Sequence, residues 1–298
     1  MFRNAMSLML PLVTAVACSR PEPATRFTFD DVPPGFTTLR QLRSTYTLRN
    51  TTGTPIPGAS LWVYVPVQET SYQALKSVEF SHPALLQKGM AQVVVELPPY
   101  GTKLVRVDFD VMQAAEAQVA SVDAEDFLRP SPVVEATHPD VVARAKELKK
   151  DNVLATARAI HEFVAGHVRE GGYDTTERGA LYALQNQSGD CSEYSSLFVA
   201  LARAAGVPSR RVSGYFCEGP CRNQNYHTWA EFHDGERWRL VDSQNKRFDV
   251  QTAGYVALEL NEETVEAPLL GRHRFAVVVP GAGPEGGPVA VETQTTID

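Results

Sequence analysis

The chain has 298 residues, more than a usual single domain of roughly 100 to 150 residues, so two domains are expected. Apolar residues make up 43% of the chain and charged residues 21%, which is typical of globular proteins and excludes a largely disordered or collagen-like chain. The formal net charge is -7, and Lys and Arg are scattered rather than clustered. Without a basic face, the protein is not expected to bind nucleic acid.

The N-terminal residues differ in composition from the rest of the chain. After Arg3 comes an uncharged, mostly apolar run from Ala5 to Ala17. This run is shorter than the roughly 20 residues of a membrane-spanning helix and ends in small residues. Residues 1–17 are therefore predicted to be a signal peptide, which makes the protein an exported one.

The residue after the predicted cleavage point is Cys18. The sequence Ala15-Val16-Ala17-Cys18 resembles the lipobox of bacterial lipoproteins, although Leu is usual where Ala15 stands. The resemblance implies that Cys18 is acylated and gives the protein an N-terminal lipid anchor in a bacterial membrane. The alternative is ordinary secretion to the periplasm, with Cys18 free or removed.

Two further cysteines lie close together in the second half of the chain. Cys217 and Cys221 bracket the turn-forming residues 218–220, and disulfides persist in the oxidising compartments that exported proteins reach. They are predicted to pair. The alternative is a zinc site with C-x3-C-x5-H-x5-H spacing, whose ligands would be Cys217, Cys221, His227 and His233. Since the compartment favours the disulfide, no metal or other cofactor is expected.

The first half of the chain has the pattern of a β-sandwich. Short runs that alternate apolar and polar residues, such as 61–65 and 104–109, are separated by Gly and Pro turns, and residues 18–128 are predicted to be an antiparallel β-sandwich domain. The Pro-rich residues 129–139 are predicted to be a stiff linker to a second domain, 140–280. Residues 281–298 are rich in Gly, Pro and Thr and are predicted to be a disordered tail.

Helical spacing of apolar residues dominates the beginning of the second domain. It predicts two amphipathic helices over 141–148 and 154–168, and a short one around 181–185. A further helix begins at Cys191, with Asp190 as N-cap and Gly206 at its end. The free N–H groups and the dipole at a helix start favour a thiolate, so Cys191 is a candidate nucleophile. The alternative is a small residue that only packs there.

Residues 226–243 are predicted to be a β-hairpin turning at Asp234 and Gly235, a strong signal for a two-residue loop. That loop would place His227 directly opposite Asp242, with Cβ atoms about 4.5 to 5.5 Å apart. In the same register, this face would also carry Trp229 opposite Leu240 and Glu231 opposite Trp238. The bulky rings of the two Trp residues would shield the His227–Asp242 pair from water. A carboxylate at this distance can orient an imidazole.

Two runs, GDCSEYSSLFVALARAAGVPSRRVSGY and YHTWAEFHDGERWRLVDSQ, resemble the core of the transglutaminase-like superfamily over about residues 140–260. The resemblance implies an α+β domain, a circularly permuted relative of papain-like proteases, in which a helix packs on an antiparallel sheet. It also implies a catalytic triad of Cys191, His227 and Asp242, in which Cys attacks, His relays protons and Asp orients His.

An oxyanion donor besides the Cys191 backbone N–H is also expected. Gln185, six residues before Cys191, has the spacing of papain-like enzymes and is the predicted donor, in preference to Gln187, which is nearer. Both are equally compatible with capping the preceding helix. Glu193 matches an acidic position of the family, and either catalysis or helix capping would explain it.

The resemblance implies a thiol acyl-transfer enzyme that acts on peptide or side-chain amide bonds through a cysteine thioester. Many small bacterial members resemble peptidases or amidases, so a cysteine peptidase or amidase with a protein or peptide substrate in the cell envelope is expected. Two alternatives remain open. One is a transglutaminase that cross-links proteins, and the other is a non-catalytic binding module.

Overall fold

The structure is a computed structural model that describes residues 24–87, 89–120, 122–174, 176–222, 226–249, 252, 254–260, 275–282 and 287–298. The predicted signal peptide and Cys18 lie outside these residues. Strands fill the first half of the chain. They are β1 (Thr25–Thr28), β2 (Phe36–Asn50), β3 (Ile56–Tyr64), β4 (Gln73–Phe80), β5 (Ala84–Gln87), β6 (Met90–Leu97) and β7 (Thr102–Ala114).

The second half mixes helices with strands, after a 3₁₀ helix at Ala124–Leu128. The helices are α1 (Pro139–Leu148), α2 (Val153–His167), α3 (Gly179–Asn186) and α4 (Cys191–Ala204). The strands are β8 (Arg169–Glu170), β9 (Ser188–Gly189), β10 (Ser209–Phe216), β11 (Cys221–Arg222), β12 (Tyr226–His233), β13 (Trp238–Asp242), β14 (Arg247–Phe248), β15 (Tyr255–Leu260), β16 (Phe275–Val278) and β17 (Val289–Ile297).

The predicted sandwich is confirmed. One antiparallel sheet has the strand order β1-β4-β7-β2-β17-β11, and the other has the order β16-β3-β6-β5. Alternate side chains of each strand point inward, so Leu42 and Leu48 of β2 share a buried core with Leu61 and Val63 of β3. Because alternation puts every second residue in this core, the period-two pattern of the sequence was a reliable signal.

The prediction of a disordered tail is wrong for residues 289–297. This segment forms β17, which pairs along its whole length with β2 and joins the sandwich. Its alternating β-branched residues, among them the buried Thr295 and Ile297, favour a strand, whereas the Gly and Pro residues that suggested disorder precede it. Strand β16 likewise pairs with β3, so Phe275–Val278 belongs to the sandwich and not to the second domain.

The second domain is a helix layer on a five-stranded antiparallel sheet of order β14-β13-β12-β10-β15. Helix α4 packs on this sheet, and Leu197 and Phe198 share a buried cluster with Ala230 and Phe232 of β12. The other face of the sheet carries a second cluster around Trp229, which contacts Val67 of the sandwich. None of the helices that the structure describes has the length and apolar character needed to cross a bilayer.

The segment predicted to be a linker is packed against the second domain instead of spanning a gap. Val134 and Ala136 are buried, and the carboxylate of Glu135 accepts hydrogen bonds from the backbone N–H groups of Ala180 and Leu181 at the start of α3. Such contacts supply partners for N–H groups that a helix leaves free at its first turn. The Pro residues that suggested a linker therefore belong to an ordered connection.

Candidate active site

Cys191 is the first residue of α4, as the sequence predicted. The Asp190 side chain accepts a hydrogen bond from the N–H of Ser192, and the Glu193 side chain accepts one from the N–H of Asp190, which forms a capping box. Glu193 is buried and also accepts a bond from the N–H of Arg178. Of the two readings of Glu193, helix capping is the one that its contacts support.

A short parallel pair of strands fixes the approach to Cys191. Strand β9, just before Asp190, pairs with β8 at the end of α2. Gly189 is packed so tightly here that a Cβ on it would lie 2.3 Å from the Cβ of Glu193. Only glycine fits at this position, two residues before Cys191.

Cys191 is a free cysteine and is partly exposed. Its side chain interacts with that of His227, which lies at the start of β12. The other side of the imidazole meets a carboxylate, since Nε2–H of His227 donates to Oδ2 of Asp242 over 2.7 Å. The structure therefore brings the three predicted residues together in the order thiol, imidazole, carboxylate, with Nδ1 as the ring nitrogen left for sulfur.

The surroundings of His227 favour its charged form. Burial alone would lower the pKa of His227, but hydrogen bonds to Asp242 and Cys191 and the negative charges of both outweigh it and raise the pKa to about 9. Near neutral pH the ring is therefore mostly an imidazolium, which is the form that pairs with a thiolate and can give a proton to a leaving group.

Asp242 is held by several donors besides His227. Its Oδ2 accepts hydrogen bonds from Nδ2 of Asn245 at 2.7 Å and from the hydroxyl of Tyr255 at 2.8 Å, and its Oδ1 accepts one from the N–H of Asn245 at 3.1 Å. Burial would raise the pKa of Asp242, but the hydrogen bond and positive charge of His227 and the hydrogen bonds of Asn245 bring it below the usual value. The carboxylate therefore stays ionised and fixed.

The predicted register of the hairpin is wrong by two residues. The structure pairs His233 with Trp238 and Ala230 with Val241, because the loop has four residues, closed by a bond from the N–H of Asp234 to the carbonyl of Arg237. Glu231 accordingly faces Leu240, and Trp229 is not opposite Leu240. A shift of two residues keeps each side chain on its face of the sheet, so His227 still meets Asp242, diagonally and not directly across.

Gln185 does not lie with the triad in the way that the papain-like spacing suggested. It is an exposed residue near the end of α3, and its Nε2 donates to Oδ2 of Asp140 in α1 over 3.0 Å. The chain order of this fold brings Gln185 to the helix layer, so the oxyanion prediction for Gln185 is corrected. Gln187 is exposed and has a left-handed backbone at the C-cap of α3, which supports a capping role.

The predicted disulfide between Cys217 and Cys221 is confirmed. Because both sulfurs are bonded to each other, they are not available to the alternative zinc site. His233 also lacks a free ring nitrogen, since Nε2 donates to the carbonyl of Ala120 and Nδ1 accepts from the N–H of Gly235. Within the described residues no group of three or more His, Cys, Asp or Glu could hold a metal ion.

Two residues of the site, Asn245 and Tyr255, were not predicted. Asn245 lies three residues after Asp242, in a turn that ends with the left-handed Lys246, so its position offered a weak signal. Tyr255 is in β15, separated from β13 by two other strands of the sheet. No local sequence pattern indicates a contact over that distance.

Comparison with known proteins agrees with this geometry. Residues 142–243, which contain all three residues, match the model of the transglutaminase-like superfamily. This part of the chain is a transglutaminase-like domain. The structure also resembles a crystal structure from Cytophaga hutchinsonii, provisionally named a cysteine protease, with a TM-score of 0.56 and 15% identity over 91% of this chain and 92% of that one. That similarity covers both the sandwich and the transglutaminase-like domain and shows a shared fold.

Two other similarities cover less of the chain. The periplasmic domain of TgpA from Pseudomonas aeruginosa superposes with a TM-score of 0.37 and 16% identity, over 67% of this chain and 87% of that one. An uncharacterized protein of Haemophilus influenzae is 27% identical over 192 residues, which cover 52% of this chain and 49% of that protein. The chain thus spans about half the length of this curated relative.

Proposed function

We propose that the protein is a thiol acyl-transfer enzyme that hydrolyses peptide or side-chain amide bonds through a thioester on Cys191. The observation that carries the proposal is that His227 interacts with Cys191 on one side and with Asp242 on the other, where its Nε2–H donates to the carboxylate over 2.7 Å. A thiol at a helix start, next to an imidazolium that a carboxylate orients, has what an acyl transfer from an amide requires.

In the first half of the reaction, the thiolate of Cys191 attacks the amide carbonyl carbon and the carbonyl π electrons move to oxygen. The backbone N–H of Cys191, at a position where a helix has no internal acceptor, is suited to donate to that oxyanion. When the tetrahedral intermediate collapses, the C–N bond breaks and the imidazolium of His227 gives its proton to the leaving amine. The products are a thioester on Cys191 and a free amine.

In the second half, neutral His227 takes a proton from water while the water oxygen attacks the thioester carbonyl. The C–S bond then breaks, which releases a carboxylic acid and restores the thiolate and imidazolium. An amine in place of water would give a new amide, which is the transglutaminase reaction. The two outcomes use the same three side chains and differ in the acceptor that reaches the thioester.

The cell envelope is the proposed place of action, and a protein or peptide there is the proposed substrate. The Cys217–Cys221 disulfide supports an oxidising compartment. The predicted signal peptide points the same way, and acylation of Cys18 would add a membrane anchor. Mass spectrometry of the mature N-terminus tests the anchor, because an unmodified Cys18 would leave secretion without lipid.

The most informative test compares wild type with Cys191→Ala on an extract of envelope proteins, with and without a fluorescent primary amine. We expect wild type alone to produce shortened proteins or peptides. Products of higher mass that incorporate the amine, again with wild type alone, would replace hydrolysis with cross-linking. Identical patterns for the two proteins would contradict acyl transfer and favour a binding module.

A further inference from the structure

The edge of the five-stranded sheet is held by the sandwich. Strand β15 is an edge strand, and Gln73 of β4 and Gln113 of β7 are register partners whose buried amides reach it. An unpaired sheet edge leaves backbone groups without partners, and an amide side chain can supply both a donor and an acceptor.

The two glutamines pair with β15 much as a neighbouring strand would. Oε1 of Gln73 accepts from the N–H of Ala257 at 2.7 Å, and its Nε2 donates to the carbonyl of Ala257 at 2.9 Å. Nε2 of Gln113 donates to the carbonyl of Tyr255 at 2.8 Å. The N–H of Val67, also from the sandwich, adds a bond to the carbonyl of Ala257 at 2.9 Å.

The side chain of Tyr255 extends from this clamped backbone to the triad. Its ring is fully buried, stacked on Phe216 at 4.4 Å and edge-on to Trp229 at 5.0 Å between ring centroids. Burial, together with the charge of Asp242, raises the pKa of Tyr255 well above its ordinary value. The hydroxyl therefore remains protonated and donates to Oδ2 of Asp242, the same oxygen that accepts from His227.

We propose that Tyr255 is a positioning residue for the Asp242 carboxylate and, through it, for His227. The sandwich holds Tyr255 in place through Gln73 and Gln113. The sandwich is therefore a structural part of the active site and not a separate binding module. The inference rests on the proposed function for its meaning in catalysis. Its geometry can be tested without any substrate.

The hydroxyl also affects the charge of the pair. A hydrogen bond from Tyr255 draws negative charge from Oδ2 of Asp242, so its removal should make that oxygen hold the imidazolium proton more strongly. Within the described residues, other titratable groups face His227 and Asp242 from other elements. Removal of the Tyr255 hydroxyl leaves these groups in place. They are Cys191 of α4, His161 of α2, Arg247 of β14 and Glu218 after β10.

The test is the pH dependence of Cys191 alkylation by iodoacetamide in Tyr255→Phe. The charge of His227 influences the reactivity of the sulfur with which it interacts, so the alkaline inflection of the alkylation rate reports His227, whose pKa is raised to about 9 in the wild type. We expect this inflection to move upward in Tyr255→Phe. Tyr215→Phe is the matched control, because its hydroxyl lies 3.3 Å from that of Thr295 in the sandwich and does not contact Asp242.

Gln113→Met tests the contribution of the sandwich, with Gln92→Met as control, since Gln92 donates to Ser60 within the sandwich itself. Gln113→Met should shift the inflection in the same direction as Tyr255→Phe, and Gln92→Met should leave it unmoved.

On an amide substrate, Tyr255→Phe should lower kcat roughly ten-fold with little change in KM, the effect of losing one bond to a charged group.

The outcomes separate this inference from the proposed function. Unmoved inflections in both Tyr255→Phe and Gln113→Met, or equal shifts in the controls, would overturn it. If Tyr255→Phe does not fold, as judged by circular dichroism, Gln113→Met decides the question. A shifted inflection in a protein that hydrolyses and cross-links nothing would support the positioning role while the proposed function fails.

Discussion

The charge state of His227 results from opposing effects on one side chain. Burial disfavours the imidazolium, but Asp242 and Cys191 stabilise it, and the pKa rises to about 9 from an ordinary 6.5. A group whose pKa is higher in the folded than in the unfolded protein stabilises the fold while it is protonated. This stabilisation is complete below about pH 6.5 and is lost as the pH rises through about 9.

The direction of this pH dependence gives a prediction for the stability of His227→Gln. The difference in unfolding free energy between wild type and variant should be largest below about pH 6.5 and should fall as the pH rises through about 9. The decrease should be at most roughly 3.5 kcal/mol, from about 1.4 kcal/mol per unit of pKa. Urea unfolding at a series of pH values measures it. A constant difference over this range would show that His227 is not held as an imidazolium.

Sequence alone could predict the residues whose roles depend on near neighbours. Asp190, Cys191 and Gly206 follow from local capping rules, because a helix start and end are determined within a few residues. Tyr255 could not be predicted, because two strands of the sheet lie between it and the strand of Asp242. Gln113 could not be predicted either, because its bond to the backbone of Tyr255 spans 142 residues of sequence. The Gln185 prediction relied on the spacing of papain-like enzymes, whereas in the structure the amide of Gln185 donates to Asp140 of α1.

At the scale of elements, α4 depends on its N-terminal cap. Asp190 accepts bonds from the N–H groups of Ser192 and Asp174 and takes part in the capping box with Glu193. Helix α2 has a simpler cap, in which Asn152 accepts from the N–H of Ala155. The start of α4 therefore has more to lose on removal of its cap.

We expect Asp190→Ala to lower the unfolding free energy by about 2 kcal/mol and Asn152→Ala by about 1 kcal/mol, the range measured for N-cap removal. Asp190→Asn should remain near wild type, because Asn also caps helices well. Chemical denaturation compares the three variants. A smaller loss in Asp190→Ala than in Asn152→Ala would mean that the bonds around Asp190 do not stabilise the start of α4.

The hairpin shows how an incorrect register can still give the correct contact. A two-residue turn was predicted at Asp234 and Gly235, but the structure has a four-residue loop there. Arg237 at the end of this loop donates a hydrogen bond to the carbonyl of Ala117, in the connection after β7, so a tertiary contact stabilises the longer loop. Because side chains alternate with a period of two, an error of two residues moves a side chain along its face, whereas an error of one would move it to the other face. The contact between His227 and Asp242 depended only on the face.

At the scale of the whole molecule, the chain returns to its first domain at its end. Strand β17 lies between β2 and β11, so the sandwich is completed only by the last residues of the sequence. The prediction failed here because composition was averaged over 281–298, which hid the alternation of residues 289–297. The strand pairing is nonlocal, and its partner β2 is more than 200 residues away in sequence.

We expect Ile297→Ala to destabilise the protein by about 2 to 5 kcal/mol, because Ile297 is buried in the sandwich core. Glu292→Ala, an exposed change on the same strand, should alter stability by no more than about 0.5 kcal/mol. Thermal and urea unfolding measure both. Equal effects of the two variants would contradict the assignment of the C-terminal residues to the core.

The proposed activity depends on the reactivity of one sulfur, and alkylation of Cys191 by iodoacetamide tests that reactivity most directly. At about pH 6 an ordinary thiol is almost wholly protonated and reacts slowly. Peptide mapping by mass spectrometry should show Cys191 reacting at least roughly ten-fold faster than a cysteine in an unstructured peptide, and the advantage should vanish in His227→Ala. A wild-type rate equal to that of the peptide, or an unchanged rate in His227→Ala, would contradict the assignment of Cys191 as the nucleophile.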